Sequence, residues 1–402
     1  MKLLSSSLRE RTLETTLKYA LQKAAELNIS RVTNTTLLDK IGIPVFASIR
    51  PRGNSLCVNA GKGFTVAEAK IGALMEAIEY AYGEYSYSKK PLKLVTIGEL
   101  IGQLPSDVKI EDFAIKYGKR AKFDEIIACI KCQNLFDKQR YLLPAQLVFI
   151  PLSENPGIDL FGTTTNGLAS GNTIKEATLH AMCELIERDV TSFNLVKDAA
   201  VWVDVERSTA RIIRMKEQIE SAGLTFSLRY ANNQFGLPFF EAYVIDDFNS
   251  DCTSISGGYG LHPVKEIAAI RAIAEAVQSR LSAIHGGRDD IIDDFKIFDE
   301  LNTAKKLELY LKKKSKISDR QSSVYFDEIA EPCVPETIEQ ALQLIRICLE
   351  RNGMKDIFRY VFTKPEDKLH VVKIIIPKLE DFDVKMKRFG PRLLSYILNE
   401  RS

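Results

Sequence analysis

The chain has 402 residues and a formal net charge of +2, with 45% hydrophobic and 27% charged residues. Such a balance belongs to ordinary globular proteins and excludes disordered and collagen-like classes. A near-neutral chain has no basic excess for coating nucleic acid, and no run reaches the ~18 consecutive apolar residues of a membrane-spanning helix.

Before Arg9, the opening segment carries too short an apolar stretch for a signal peptide, so cytoplasmic residence is expected. Residues 9–28 read as an amphipathic helix, with Leu13, Leu17, Leu21 and Ala24 at helical spacing. Two β-rich runs follow at 43–49 and 55–58, parted by a hairpin-like break at 51–54. A long helical pattern covers 65–84. Short strands and turns are expected over 92–160, with prolines at 105, 144, 151 and 156. A second long helix is expected over 173–194, strands at 224–231 and 238–246, and a third helix over 263–284. The lysine-rich stretch 305–316 reads as a solvated helix or tether. A helix at 336–352 and strands at 357–362 and 369–376 complete the pattern. Nothing marks a linker, so one domain over 1–402 is expected, with a C-terminal helix and strand portion at 326–402.

Seven cysteines are scattered along the chain. Cys129 and Cys132 form the one C-x-x-C pair, but a zinc site needs a second ligand pair. Their segment reads as a strand, in which residues three apart point to opposite faces. They are expected to be ordinary strand cysteines.

The most informative feature is an internal repeat. The segment from Gly61 through Thr65 and Glu68 to Glu76 and Glu79 returns, without a gap, from Ser170 through Thr173 and Glu176 to Glu184 and Glu187. A weaker third copy, shifted by one residue, runs from Gly258 and Gly260 to Arg271, Glu275, Gln278 and Arg280. Each copy reads as a glycine-bearing turn leading into a helix, within repeat units near 43–88, 160–196 and 224–284.

Residues three apart on a helix share a face, about 5–6 Å between Cβ atoms. Each E-x-x-E therefore projects two carboxylates side by side from an otherwise apolar helix. Buried carboxylates are costly unless they meet cations or protonate. Oxygen-only donors suit Mg2+, which keeps waters and shares phosphate oxygens. Arg188 directly follows Glu187, and Arg271 and Gln278 fall on the matching face of the third copy. Acids, arginines and helix N-termini together fit a triphosphate held between metal ions and guanidiniums. The bland alternative is surface pairing of Glu184 and Glu187 with Arg188 or Lys175, with Glu176 serving only a capping box with Thr173. Matched pairs in matched repeats favour a site. His180 reads as a packed helix histidine. Gly61-Lys62-Gly63 lacks the spacing and Ser/Thr of a P-loop, and Gly258-Tyr259-Gly260 lacks the third glycine of a dinucleotide turn.

The string from Asn166 to Ala177, leading into Glu184, Glu187 and Arg188, resembles the signature of the YcaO family. The stretch from Arg271 to Arg280 and the run Arg288-Asp289-Asp290 are similar to later blocks, and the likeness covers nearly the whole chain. It implies an α/β fold of the YcaO type, with repeated glycine-turn–helix units packed on mixed β-sheets and a non-P-loop ATP site. The resemblance implies that Glu76, Glu79, Glu184 and Glu187 hold Mg2+ and phosphates. Arg9, Thr16, Ser170, Asn172, Thr173, Glu176, Glu187, Arg188, Arg271 and Glu275 are the implied nucleotide set, with Glu187 and Arg188 catalytic. The implied reaction phosphorylates a peptide-backbone amide oxygen with ATP, after which a nucleophile attacks the amide carbon. A side-chain nucleophile gives an azoline, whereas external sulfide gives a thioamide. The run from Asp39 to Phe46, followed by Arg50-Pro51, resembles members associated with TfuA proteins, and the chain ends without a proline-rich tail. Thioamidation is therefore expected, by a homodimer with a peptide or protein substrate, a sulfur donor and a TfuA-like or peptide-binding partner. An azoline-forming cyclodehydratase and a non-catalytic nucleotide-binding accessory protein are the alternatives.

Overall fold

A computed structural model describes residues 2–3, 7–248, 254–288, 291, 300–332, 334–382 and 387–400. The longer helices are α1 (Leu13–Glu26), α2 (Val66–Gly83), α3 (Ile174–Val196), α4 (Ala210–Ser221), α5 (Lys265–His285), α6 (Thr303–Ile317), α7 (Ile338–Arg351) and α8 (Pro391–Glu400). The strands of the larger sheets are β1 (Arg31–Asn34), β2 (Val45–Ile49), β3 (Val58–Lys62), β4 (Lys93–Thr96), β5 (Ile126–Asn134), β6 (Arg140–Pro144) and β7 (Leu168–Gly171). They continue with β8 (Val201–Asp204), β9 (Thr225–Tyr230), β10 (Phe239–Ile245), β11 (Ile255–Leu261), β12 (Ser323–Tyr325), β13 (Phe358–Val361) and β14 (His370–Ile375). None of the described helices is long and apolar enough to cross a membrane.

The chain divides into two compact units, one of Met1–Ala77 with Ala199–Thr337, the other of Ile78–Asp198 with Ile338–Ser402. In the first unit, β1, β2 and β3 form an antiparallel sheet. A second sheet runs in the order β11-β10-β9-β8-β12, antiparallel except for the parallel pair β8–β12. Helix α5 packs on β10 and β11. Ala268, Ala272 and Ala276 on its sheet face join Ile212, Met215 and Ile219 of α4 in one core. In the second unit the sheet order is β7-β14-β13-β5-β4, with β6 beside β5, all antiparallel. Its core includes Phe149, Phe161, Ile127, Leu143 and Phe358, none measurably exposed. Burying each contributes roughly 1.5–3 kcal/mol.

The helices expected over 65–84, 173–194 and 263–284 form within two residues of their expected ends. The helix expected over 9–28 begins only at Leu13, because Thr12 caps it by accepting from Thr15 N, and the strand expected at 55–58 lies instead at Val58–Lys62. Thr173 caps α3 by accepting from Glu176 N at 3.2 Å. In the first repeat, Thr65 and Glu68 form a reciprocal pair, Glu68 N donating to Thr65 Oγ1 at 3.3 Å and Thr65 N to Glu68 Oε2 at 2.9 Å. The repeat itself needs a correction. Its glycines lie mainly in strands, so each copy is a strand, β3, β7 or β11, followed by its helix, α2, α3 or α5. Periodicity missed these strands because glycine carries no side chain to alternate. A Cβ on Gly61 would overlap the backbone of Ala69 and Ala73, and one on Gly260 that of Ala268 and Ala272. Strand glycines facing helix alanines let backbone pack against backbone.

The lysine-rich helix α6 is docked rather than a free tether. Its Tyr310 and Ile317 join Tyr243, Ile245 and Ile255 in a small core, and Lys314 pairs with Asp247 at 2.5 Å. Cys129 and Cys132 lie buried on β5 as free thiols. Burial pushes Cys129 up to about 12 and raises Cys132 further, which makes both poor nucleophiles near neutral pH.

Candidate functional site

In the first unit, α2 carries Glu76 back toward β3, where its Oε2 accepts from Ala60 N at 2.9 Å. Burial raises the Glu76 carboxyl above its usual range, against the opposing pull of Arg288 and Lys62. Lys62, at the end of β3, donates to Glu275 Oε2 of α5 at 2.6 Å. Lys62 therefore binds one of the expected site acids, Glu275, and its charge is felt by another, Glu76. In the sequence, Lys62 stands out only between two glycines that lack P-loop spacing, and nothing local marks its partners.

A second group in this unit is cationic. His262 is buried, and burial together with the positive charges of Arg271 and Arg9 lowers it to about 3. Its Nδ1 accepts from Val264 N at 3.0 Å, as a neutral imidazole requires. Arg9 and Arg271, far apart in sequence, are thus both felt by one neutral histidine. Arg271 Nε is buried without a hydrogen-bond partner among the described residues, an arrangement that favours an anion. Thr16 is buried on α1, and its hydroxyl donates to Thr12 O at 2.9 Å. Arg280, in the same motif as Arg271, bridges Asp39 and Asp246 at 3.1 and 3.2 Å. Asp39, which opens the run 39–46, thereby has a structural partner. Arg288 is described, whereas Asp289 and Asp290 lie outside the described residues.

In the second unit, Glu79 Oε1 accepts from both Ser170 N (2.8 Å) and Ser170 Oγ (2.5 Å). The second acid of the first pair is thus held by the strand that opens the second repeat. One residue beyond Gly171, Asn172 N and Nδ2 donate to Glu176 Oε1 at 3.1 and 3.0 Å. Glu176 is therefore more than a cap, since its carboxylate is committed to the buried Asn172 rather than to Thr173 N. Along α3, Glu184 and Glu187 lie three residues apart, Glu187 buried at 3% exposure and Glu184 half-buried. Arg188 is half-buried beside them. Lys175 is paired with Glu339 on α7.

Behind α3, Lys373 of β14 is 1% exposed, and its Nζ donates to Thr164 O at 2.5 Å. Burial lowers its ammonium to about 7, although Glu184 and Asp381 pull the other way. Sequence patterning could not flag it, because a lysine within a run of Val and Ile gives no periodic signal.

No three His, Cys, Asp or Glu side chains among the described residues form a metal-holding group by themselves. For Mg2+ a protein cage is not required, because the ion shares phosphate oxygens and waters with one or two carboxylates. A cation beside Glu76 would offset the burial that raises its carboxyl, and the unsatisfied Arg271 Nε suits a phosphate oxygen, so both fit such a cation–phosphate pairing.

The profile described as "YcaO cyclodehydratase, ATP- and Mg2+-binding" matches residues 60–380. The chain belongs to the YcaO family. A protein of Methanothermobacter thermautotrophicus is 32% identical over 389 residues, covering 95% of this chain and 97% of its own. A protein in the tfuA 3′ region of Rhizobium leguminosarum bv. trifolii is 29% identical over 404 residues, covering 94% of this chain and 90% of its own. The structure of YcaO from Methanopyrus kandleri bound with AMPPCP and Mg2+ superposes with a TM-score of 0.73 at 19% identity, covering 96% of each chain. The YcaO fold and the ATP and Mg2+ expectation of the sequence thus agree with the family found.

Proposed function

We propose that this YcaO protein uses ATP to phosphorylate a peptide-backbone amide oxygen and that hydrosulfide then attacks the amide carbon to give a thioamide. The tetrahedral adduct collapses with loss of phosphate. Amide, ATP and hydrosulfide thus become thioamide, ADP and hydrogen phosphate. Phosphorylation is needed because an amide oxygen is a poor leaving group and phosphate is a good one. The observation that carries the thioamide reading is the relative in the tfuA 3′ region, which matches this chain nearly end to end.

Glu76, Glu79, Glu184 and Glu187 are the proposed Mg2+ ligands. Bound Mg2+ would neutralise phosphate charge and hold the phosphates for in-line transfer. Ser170 orients Glu79 through two donors, and Asn172 fixes Glu176. Arg271 and Arg9 bring positive charge that a neutral His262 does not oppose. Lys62 balances Glu275 and Glu76. Thr16 and Thr173 complete the proposed nucleotide contacts, and Arg188 assists Glu187 at the phosphoryl group. The protein would work in the cytoplasm as a homodimer, with a TfuA-like or peptide-binding partner and a separate sulfur donor.

A second reading, azoline formation from a Cys, Ser or Thr of the peptide, is favoured by the cyclodehydratase description of the family. Incubation with ATP, Mg2+, sulfide, partner and candidate peptide separates them by mass. A gain of about 16 Da per site, sulfur for oxygen, supports the thioamide, whereas a loss of about 18 Da overturns it for the azoline. Absence of ATP turnover with every peptide and partner would leave a nucleotide-binding accessory protein.

A further inference from the structure

The second unit contains a small cavity of about 40 Å3, open to one side and lined by Thr164, Asn166, Leu185, Lys373, Asp381 and Arg388, with Phe113, Leu147 and Leu379 among its apolar walls. Most of its polar groups are satisfied within the protein. Arg388 donates to Ala114 O at 3.1 Å, to Phe113 O at 3.0 Å and to Asp381 Oδ2 at 3.4 Å. Asp381 Oδ2 also accepts from Thr164 Oγ1 at 3.0 Å, and Asp112 Oδ2 from Lys109 N at 2.9 Å.

Two groups are not satisfied. Lys373 Nζ is buried, carries at least two N–H donors whether protonated or neutral, and uses one, on Thr164 O. Asn166, 7% exposed, has its Oδ1 buried without a partner. Leaving such groups unmet costs free energy, more so for a charged one. The cavity wall thus offers a spare donor and a spare acceptor, framed by apolar side chains.

We propose that this cavity binds an amide group, whose carbonyl accepts from Lys373 Nζ and whose N–H donates to Asn166 Oδ1. A secondary amide carries one acceptor and one donor, and its flanking carbons suit the Phe113, Leu147, Leu185 and Leu379 walls. A small anion is disfavoured, because Asp112 and Asp381 line the same cavity and Glu184 lies close enough to act on Lys373. Leu185 neighbours Glu184 on α3, so the bound amide would lie against the helix bearing the second acid pair. Identifying that amide as one of the acceptor peptide rests on the function proposed above, whereas binding of an amide at this place does not.

The test uses N-methylacetamide as probe and acetate as its anionic counterpart, with the full chain and neither ATP nor sulfide. Ligand-observed saturation-transfer NMR should show N-methylacetamide binding to the wild type and at least a fivefold weaker response with Lys373→Met and with Asn166→Ala. Lys373→Met should remain folded in urea titration, since an apolar side chain of similar volume replaces a buried charge. Equal binding by wild type and Lys373→Met overturns the assignment, as does absence of binding to the wild type, which leaves a water-filled cavity. Acetate binding in preference to the amide overturns it in favour of an anion site. Amide binding without thioamide formation would retain this site while removing the proposed reaction.

Discussion

Replacing Gly171 with alanine tests how the second repeat builds its site. A methyl on Gly171 would stand 2.6 Å from Ala177 N and 3.0 Å from Glu176 Cβ. Ordinary contact begins near 3.4 Å, so the first turn of α3 must withdraw from β7 by 3.4 minus 2.6, about 0.8 Å. Overpacking of this kind costs about 1–3 kcal/mol. The same withdrawal would stretch the 3.1 and 3.0 Å bonds from Asn172 to Glu176 beyond hydrogen-bonding range. Losing a bond to a charged group adds roughly 1 kcal/mol or more. Urea unfolding of Gly171→Ala should therefore show a loss of about 2–4 kcal/mol, with weakened Mg–ATP binding in calorimetry. Gly118 is the control, because it has a φ of +81° and nothing within 4 Å of an added Cβ. Gly118→Ala should lose about 1–2 kcal/mol from backbone strain alone and keep full nucleotide affinity. If Gly171→Ala matches the wild type in stability and nucleotide affinity, close backbone packing is not what the repeat's glycines provide.

Glu187→Gln should lower ATP hydrolysis by about 100-fold or more while leaving the urea midpoint unchanged, and wild-type turnover would remove it from the metal set. Ser170→Ala retains the backbone donor to Glu79 but loses the hydroxyl, so the KM for Mg–ATP should rise about tenfold with kcat less affected, as steady-state kinetics would read. His262 binds its proton less readily in the folded chain, at about 3 rather than 6.5, so its stabilising contribution is complete above pH 6.5 and lost as pH falls toward 3. Comparison of His262→Asn with the wild type by urea unfolding should show the wild type losing on the order of 3 kcal/mol more between pH 7 and pH 4; parallel pH profiles would contradict a buried neutral imidazole. Lys62→Met leaves Glu275 and Glu76 without their neighbouring ammonium, and a several-fold loss of Mg–ATP affinity is expected by calorimetry, whereas an unchanged affinity would make the 2.6 Å Lys62–Glu275 pair structural only.

Sequence alone determined the three long helices, the phase of the two E-x-x-E pairs and the family, because helical spacing and a gapless repeat are local properties of the chain. The C-x-x-C pair was legible as strand cysteines for the same reason. Tertiary structure decided what each side chain meets. Glycines that read as turns became strand positions because helix alanines lie against them, a contact that periodicity does not record. Glu176, legible as a cap, turned out to engage Asn172, and Arg280, legible as a site arginine's neighbour, was committed to Asp39 and Asp246. Lys62, His262 and Lys373 drew their significance from partners distant in sequence, Glu275, Arg9 with Arg271, and Thr164. The charge state of a buried group depends on desolvation and on neighbours brought in by folding, and neither is written in the spacing of residues along the chain.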